Sequence, residues 1–285
     1  AGDDDLHPLG FQVGGRGRFR VRASKGIHLV VPRDRINADT GIILRTEKSV
    51  LFIIPWGRHW IIGTTDTDWN LDLAHPAASH ADIQYLLKHV NAVLTSPLVP
   101  DDIEGVYAGL RPLLAGESEA TSKLSRTHAV AQPVPGLGVV AGGKFTTYRV
   151  MAKDAVDAAV SGLDRAVPGS RTDVTPLVGA TGYQARYDDR ARLAAKSGLD
   201  VVRVEHLLGR YGSEIDELLT LVAERPELRQ PLEGAEDYLK VELSYAASHE
   251  GALHLEDTLT RRTRISIETW DRGLAAAEPA ARLMG

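Results

Sequence analysis

The chain of 285 residues contains no cysteine and only 2 methionines. The absence of cysteine excludes disulfides, thiolate metal sites and cysteine nucleophiles, and it fits a reducing compartment. No run of about 18 apolar residues occurs, so the sequence predicts no transmembrane helix. The first ten residues, AGDDDLHPLG, are acidic and lack an apolar core, so we expect no secretory signal there. A net charge of −5 gives no electrostatic case for nucleic acid.

Several catalytic signatures are also missing from the sequence. There is no G-x-x-x-x-G-K-[ST], no HExxH, no EF-hand loop and no serine in G-x-S-x-G. Residues 14–18, GGRGR, are rich in glycine but lack the spacing and the preceding strand of a dinucleotide-binding loop. These absences argue against a P-loop, a zincin or an α/β-hydrolase, and we expect no metal centre.

The first part of the chain has the pattern of an antiparallel sheet. Arginines alternate with smaller residues over 16–22, and four short runs rich in β-branched residues follow at 26–31, 41–44, 50–54 and 60–63. Apolar residues at helical spacing predict a helix over 79–94, and Ser79 with Asp82 resembles a capping box. A further strand is predicted to end at residues 109–113.

The composition changes beyond about residue 162. Residues 163–182 are rich in Gly, Pro, Ser and Thr and are predicted to be a linker. Helices are then predicted over 203–210 with Gly212 as C-cap, from Ser213 with Asp216, and over 235–249 and 266–278. We therefore predict an α+β fold: residues 1–162 carry the sheet, and residues 183–285 form a small all-α C-terminal domain.

The most informative segment is GVVAGGKFTTYRV, at residues 138–150. Val139–Ala141 is predicted to be a buried strand, and Gly142-Gly143 ends it. The segment from Lys144 onwards is predicted to open an amphipathic helix, with Thr146 and Thr147 able to cap it. Backbone N–H groups at a strand, glycine turn and helix start favour an anion or an electron-rich ring edge. An ordinary strand-to-helix turn is the alternative that this segment alone leaves open.

Other residues are weaker candidates when each is taken alone. Arg111 is held between a strand and Pro112 and suits bidentate recognition of phosphate or carboxylate, although surface arginines commonly form salt bridges. His28 lies inside an apolar strand, where a buried structural histidine competes with a general base. Residues 63–66, GTTD, are predicted to make local turn hydrogen bonds. The basic cluster at 261–264 is expected to be solvated or paired within the chain rather than bound to lipid or another domain.

Taken together and in order, five motifs are more specific than any one of them. The chain resembles the aerobic, FAD-dependent glycerol-3-phosphate dehydrogenase family, within the glycine-oxidase and D-amino-acid-oxidase superfamily. The resemblance covers nearly the whole chain, including the helical tail through residues 249–251 and 259–264. The five motifs are SKGIHLVVPR at 24–33, FIIPW at 52–56, IGTTD at 62–66, GLRPL at 109–113 and GGKFTTYR at 142–149.

The resemblance implies roles for single residues. His28 would lie close to the substrate and act as the base, and Arg111 and Lys144 would hold the anionic substrate. The segment that would lie against the flavin of FAD comprises Gly142, Gly143, Lys144, Phe145, Thr146 and Thr147. Residues 1–162 would then be a substrate-cap sheet with the closing part of an FAD-binding domain.

The same resemblance implies a reaction and its partners. The substrate would be sn-glycerol 3-phosphate, whose C2 hydride passes to flavin to give dihydroxyacetone phosphate, and the electrons would then reach a quinone. The protein would act in glycerol metabolism in the cytoplasm, with peripheral attachment to the inner face of the cell membrane. The oligomeric state stays open.

The resemblance begins after the Rossmann half, because the chain has no G-x-G-x-x-G loop to anchor the FAD pyrophosphate. We therefore interpret the chain as a fragment and expect it to be inactive and to bind FAD poorly alone. Two alternatives remain: an amine or amino-acid oxidase of the same superfamily, and a non-catalytic remnant that serves as an interaction module.

Overall fold

The structure is a computed structural model that describes residues 21–46, 50–114 and 127–284. An antiparallel sheet dominates the first part of the described chain. This sheet confirms the predicted fold class, while the alternating arginines at 16–20 lie outside the described residues. The strands are β1 (Val21–Pro32), β2 (Ile42–Arg45), β3 (Val50–Trp56), β4 (His59–Gly63), β5 (Thr67–Trp69) and β6 (Gly105–Leu114). Their order in the sheet is β2-β3-β4-β1-β6, and β5 pairs with the beginning of β1.

One face of the sheet is buried beneath helix α1 (His80–Asn91). The predicted capping box is confirmed: Ser79 Oγ accepts from the Asp82 N–H at 3.2 Å, and the Asp82 carboxylate accepts from the Ser79 N–H at 2.8 Å. Lys25 Nζ on β1 donates to the same carboxylate at 2.7 Å, in a buried ion pair that fastens helix to sheet. The buried face is made by Ile27, Leu29, Val31, Ile53, Trp60 and Ile62, packed with Leu86, Leu87 and Val90. The opposite face of β1 and β6 is left to carry polar groups.

The hairpin of β7 (Ala129–Val134) and β8 (Leu137–Ala141) precedes helix α2 (Tyr148–Val160). The predicted burial of this segment is wrong, because Val140 is 43% exposed and α2 has no buried residue. A two-stranded hairpin has too little surface to bury both its own apolar residues and those of a helix. The helix also starts later than predicted, since Lys144 is extended and residues 145–147 form a 3₁₀ turn.

The C-terminal region is mainly helical, as the sequence predicts, but it is not all-α, because residues 231–232 and 235–239 pair as a two-stranded antiparallel sheet. Residues 163–182 contain no helix or strand. Gly212 ends α5 with a φ of +60°, as its predicted role as C-cap requires. The elements are α3 (Tyr183–Asp188), α4 (Arg190–Ser197), α5 (Val201–Tyr211), α6 (Ile215–Glu224), β9 (Pro231–Leu232), β10 (Ala235–Leu239), α7 (Lys240–Ser248), α8 (Ile265–Glu268) and α9 (Leu274–Met284).

Three predicted helix boundaries in this region are wrong. Residues 235–239 are a strand, because the turn at Gly234 folds β10 back onto β9. The predicted helix over 266–278 is two helices, since Arg272 and Gly273 adopt positive φ and no α-helix continues through such residues. Helix α6 begins at Ile215, after a 3₁₀ turn, rather than at a Ser213 cap. The division at residues 162 and 182 stays a prediction.

In the described ranges, no helix is both long and apolar enough to cross a membrane.

Candidate functional site

Arg111 is fixed against the open face of the sheet. Its Nη2 donates to Thr64 Oγ1 at 2.8 Å, and its Nη1 donates to the Thr65 carbonyl oxygen at 3.2 Å. Gly26 on the neighbouring strand makes this position available, because a Cβ there would lie 2.3 Å from Arg111 Nη2. The guanidinium is therefore held by chain geometry as well as by hydrogen bonds, and its placement is set before any ligand arrives.

His28 lies on the same face, between two neighbouring strands. Strand register pairs it with Gly63 on β4 and with Tyr107 on β6. A Cβ at Gly63 would lie 2.3 Å from His28 Cδ2, so only glycine leaves room for the imidazole. Burial, and then the positive charge of Arg111, lower the pKa of His28 to about 4. At neutral pH the site thus holds an uncharged imidazole near a permanent cation. The uncharged imidazole is able to act as a base at that pH.

The C-terminal region packs beside these residues. The Arg264 guanidinium lies over the Trp56 ring, 5.1 Å from its centroid. Burial raises the pKa of the Tyr107 hydroxyl, and the charge of Arg264 partly opposes that rise. Gly105 allows the contact between the two regions, because a Cβ there would lie 2.1 Å from the Ile267 carbonyl oxygen. The face that carries His28 therefore borders the helical region.

The basic cluster at 261–264 divides between two roles. Arg261 pairs with Glu256 at 3.0 Å and with Asp257 at 2.9 Å, which confirms the expected intramolecular pairing. Arg264 instead contacts Trp56 of the sheet. Contact with another region was the less favoured of the two roles expected for this cluster.

The predicted local hydrogen bonds of residues 63–66 include Thr64 Oγ1 to the Thr65 carbonyl oxygen at 3.1 Å, but the segment also bonds distant residues. Asp66 Oδ1 accepts from Ser24 Oγ at 2.5 Å, and Thr65 Oγ1 accepts from the Ile27 N–H at 3.1 Å. Thr64 accepts from Arg111. The segment at the end of β4 therefore forms hydrogen bonds with residues of β1 and β6, because the sheet brings these distant residues close to it.

The glycine turn is shaped by the chain's own packing. Gly142 and Gly143 have φ values of +75° and +85°, which disfavour other residues. A Cβ at Gly142 would lie 3.0 Å from Leu114 Cγ, and one at Gly143 would lie 2.5 Å from Met151 Sδ. The side-chain positions of both glycines thus point at protein atoms. Their predicted approach to flavin stays a prediction for the N–H groups of the turn.

The residues after the turn are exposed. Lys144 makes no polar side-chain contact with the described residues, and Phe145 is 90% exposed and stacks on Tyr148 with ring centroids 5.4 Å apart. Thr147 stands at the N-cap position of α2, but its hydroxyl donates to the Lys144 carbonyl oxygen, so the predicted capping by Thr147 is wrong. Within the described chain, no backbone carbonyl accepts from the N–H groups of Phe145 and Thr146. An exposed cation and free N–H donors therefore meet at this turn.

Replacing Gly143 with alanine tests how the turn is built. We expect Gly143→Ala to lower the free energy of unfolding by about 1–3 kcal/mol, from strained φ and from the contact with Met151. Gly136→Ala is the matched control, because Gly136 has a φ of +82° and its added Cβ meets nothing within 4 Å. Urea unfolding of both variants measures the difference. Equal losses would show that the Met151 contact contributes nothing.

The structure brings together some of the predicted site residues. His28 and Arg111 share one face of the sheet, whereas Lys144 contacts neither of them in the described chain. Sequence reasoning missed Gly26, Gly63 and Tyr107. The available signal was the two glycines in strand-like runs, Gly26 two residues before His28 on β1 and Gly63 opposite it on β4, because such glycines often mark close approach of other groups.

Comparison with known proteins agrees with this architecture. Residues 170–285 match the C-terminal domain of alpha-glycerophosphate oxidase. The chain is 60% identical to the glycerol-3-phosphate dehydrogenase of Mycobacterium leprae over 278 residues, which are 98% of this chain and 47% of that protein. It is 34% identical to glycerol-3-phosphate dehydrogenase 1 of Mycobacterium tuberculosis strain H37Rv, over 89% of this chain and 49% of that protein.

A solved structure agrees with these relatives. The crystal structure of glycerol-3-phosphate dehydrogenase from Bacillus halodurans complexed with FAD superposes with a TM-score of 0.79 at 30% identity. The match covers 95% of this chain and 54% of that one. The chain thus spans about half the length of the curated relatives that it matches. The motifs, the fold and these matches agree: over nearly its whole length the chain is similar to about half of each glycerol-3-phosphate dehydrogenase that it matches.

Proposed function

We propose that this chain supplies the substrate-binding half of an enzyme that oxidises sn-glycerol 3-phosphate to dihydroxyacetone phosphate. The observation that carries the proposal is that His28 and Arg111 lie on the same face of the sheet, in space left by Gly63 and Gly26. A phosphorylated polyol needs a fixed cation for its phosphate and a neutral base for its hydroxyl. The two side chains have these properties without any rearrangement.

The turn at residues 142–147 fits a flavin. The N–H groups of Phe145 and Thr146 have no carbonyl partner among the described residues, and together with the positive charge of Lys144 they complement an electron-rich ring edge. The exposure of Phe145 is also what a residue covered by a ligand or a neighbouring domain would have in isolation. FAD, when bound, supplies the acceptor for a hydride from substrate C2. Gly142 and Gly143 with residues 144–147 would hold it.

Three side chains of this chain then have separate roles. Arg111, held by Thr64, binds the substrate phosphate and orients the molecule. The His28 imidazole takes the proton of the C2 hydroxyl as C2 loses its hydride. Lys144 neutralises negative charge at the flavin end of the site. Each role follows from the charge and placement of the group.

We further propose that the electrons pass to a quinone at the inner face of the cell membrane, where the protein is peripherally attached. A quinone acceptor is chemically suited to a two-electron carrier and resides in the membrane. Reduction of a soluble quinone analogue, with and without lipid vesicles, measures this step. Equal rates in both would argue against a membrane role.

A hybrid protein tests the proposed activity. Residues 1–285 replace the aligned half of the Mycobacterium leprae relative, which is 60% identical over that region. We expect the hybrid to keep a stoichiometric flavin absorbance band through gel filtration and to reduce a dye with sn-glycerol 3-phosphate. The 285-residue chain alone, given excess FAD, should elute without that band. Glycine and D-alanine serve as the substrates that an amino-acid oxidase would prefer.

The outcomes separate the proposal from its rivals. Oxidation of the amino acids but not of glycerol 3-phosphate would favour an oxidase of another substrate class. A flavin-loaded hybrid that oxidises neither would favour a non-catalytic role for this half.

A further inference from the structure

We infer that Tyr107 is the positioning residue that holds the His28 imidazole in its working orientation, an inference that rests on the proposed function. Sheet register places Tyr107 directly opposite His28 on β6. The two rings are nearly parallel, with an interplanar angle of 11° and centroids 4.9 Å apart. The phenol therefore covers one flat side of the imidazole.

The other neighbouring strand leaves the ring little freedom. Gly63 pairs with His28 on β4, and its backbone approaches so closely that a Cβ would lie 2.3 Å from His28 Cδ2. The imidazole is thus confined between the backbone of β4 and the ring of Tyr107. Removal of the tyrosine ring would open one of these two walls.

Stacking is needed because no described residue holds this histidine by a hydrogen bond. Catalytic histidines are commonly oriented by a carboxylate or a carbonyl that accepts from the second ring nitrogen. Neither ring nitrogen of His28 has a hydrogen bond with any described residue. Both nitrogens are therefore left for substrate and solvent, and the orientation depends on the contacts with Tyr107 and Gly63.

The ring of Tyr107, rather than its hydroxyl, carries this role. Across the described ranges the hydroxyl makes no hydrogen bond, so phenylalanine is expected to replace tyrosine without loss. The charged groups around the pair are Arg111 on β6, which faces His28, and Arg264 from the helical region, which faces Tyr107. Neither arginine is changed when leucine replaces the tyrosine ring.

The test uses the hybrid protein with Tyr107→Leu and its conservative control, Tyr107→Phe. For Tyr107→Leu we expect kcat to fall by about 10- to 100-fold, as for a displaced reacting group, with the KM for glycerol 3-phosphate within about twofold of the parent. The acidic limb of the pH profile should move up from its parental position near pH 4. Tyr107→Phe should match the parent in kcat and in pH profile.

A second readout does not depend on activity. NMR titration of hybrids with ¹³C-labelled histidine rings follows the pKa of His28, whose signal is assigned by its absence in His28→Asn. Tyr107→Leu should raise that pKa towards 6.5, whereas Tyr107→Phe should leave it unchanged. An unchanged pKa and an unchanged kcat in Tyr107→Leu would overturn the inference, and so would equal losses in both variants. A parent hybrid that does not oxidise glycerol 3-phosphate would overturn the proposed function, while the titration would still decide the positioning role.

Discussion

Replacing His28 with asparagine in the hybrid should lower kcat for glycerol 3-phosphate oxidation by about 10²- to 10⁴-fold, the usual contribution of a general base. Asparagine keeps a polar side chain of similar width beside Gly63, so the sheet should pack as before. The KM should change little, because the phosphate is bound by Arg111. Steady-state kinetics with a dye acceptor measure both constants.

The lowered pKa of His28 also predicts how kcat/KM and the stability of the fold depend on pH. A base with a pKa of about 4 is unprotonated over the neutral range, so kcat/KM should stay level there and fall only as the pH drops through about 4. Because the folded-state pKa lies below 6.5, the unfolded chain binds this proton first. The stability that neutral His28 contributes is therefore complete above pH 6.5 and lost as the pH falls towards 4.

A suitable control changes another histidine of the same sheet. His59→Asn alters a residue that pairs with Glu104 at 2.9 Å, away from Arg111. It should keep the parental rate and pH profile. If His28→Asn also keeps the parental rate, His28 is not the base.

Arg111→Lys should raise the KM for glycerol 3-phosphate by about 10- to 100-fold while the flavin content stays constant. Lysine keeps the charge but lacks the planar, two-pronged geometry of the guanidinium, and a charge-assisted hydrogen bond is worth about 1.5–3 kcal/mol. Each 1.4 kcal/mol corresponds to about a tenfold change in affinity. Flavin absorbance and substrate saturation curves measure the two effects separately.

Gly26→Ala should reproduce much of this loss without touching the substrate. Its Cβ would lie 2.3 Å from Arg111 Nη2, so the guanidinium must leave its position over the strand. Gly138→Ala is the matched control, because it also lies in a strand and its added Cβ would meet only Ala159, at 3.9 Å. A parental KM in Gly26→Ala would show that the position of Arg111 is not set by that glycine.

The antiparallel sheet and α1 follow closely from the sequence. Short runs rich in β-branched residues predict the strands, and Ser79 with Asp82 fixes where α1 begins. Local pattern was sufficient there because the signals of periodicity and capping agree with the tertiary packing. The same holds for the end of α5 at Gly212.

The remaining features depend on contacts between distant residues. The hairpin and α2 carry apolar residues but stay exposed, because nothing in the described part of the chain covers them. The stack of Tyr107 on His28 and the space at Gly63 arise from strand register, which no local pattern of the sequence specifies. His28 and Arg111 were thus identifiable as candidates, while the geometry that makes them a site was not.

A crystal structure of the His28→Asn hybrid with FAD and sn-glycerol 3-phosphate tests the central claim most directly, because this variant should bind substrate without turning it over. We predict that the phosphate accepts hydrogen bonds from Arg111 and that the C2 hydroxyl lies beside residue 28, on the open face of the sheet. A substrate bound elsewhere, with no hydrogen bond from Arg111 to its phosphate, would contradict the account.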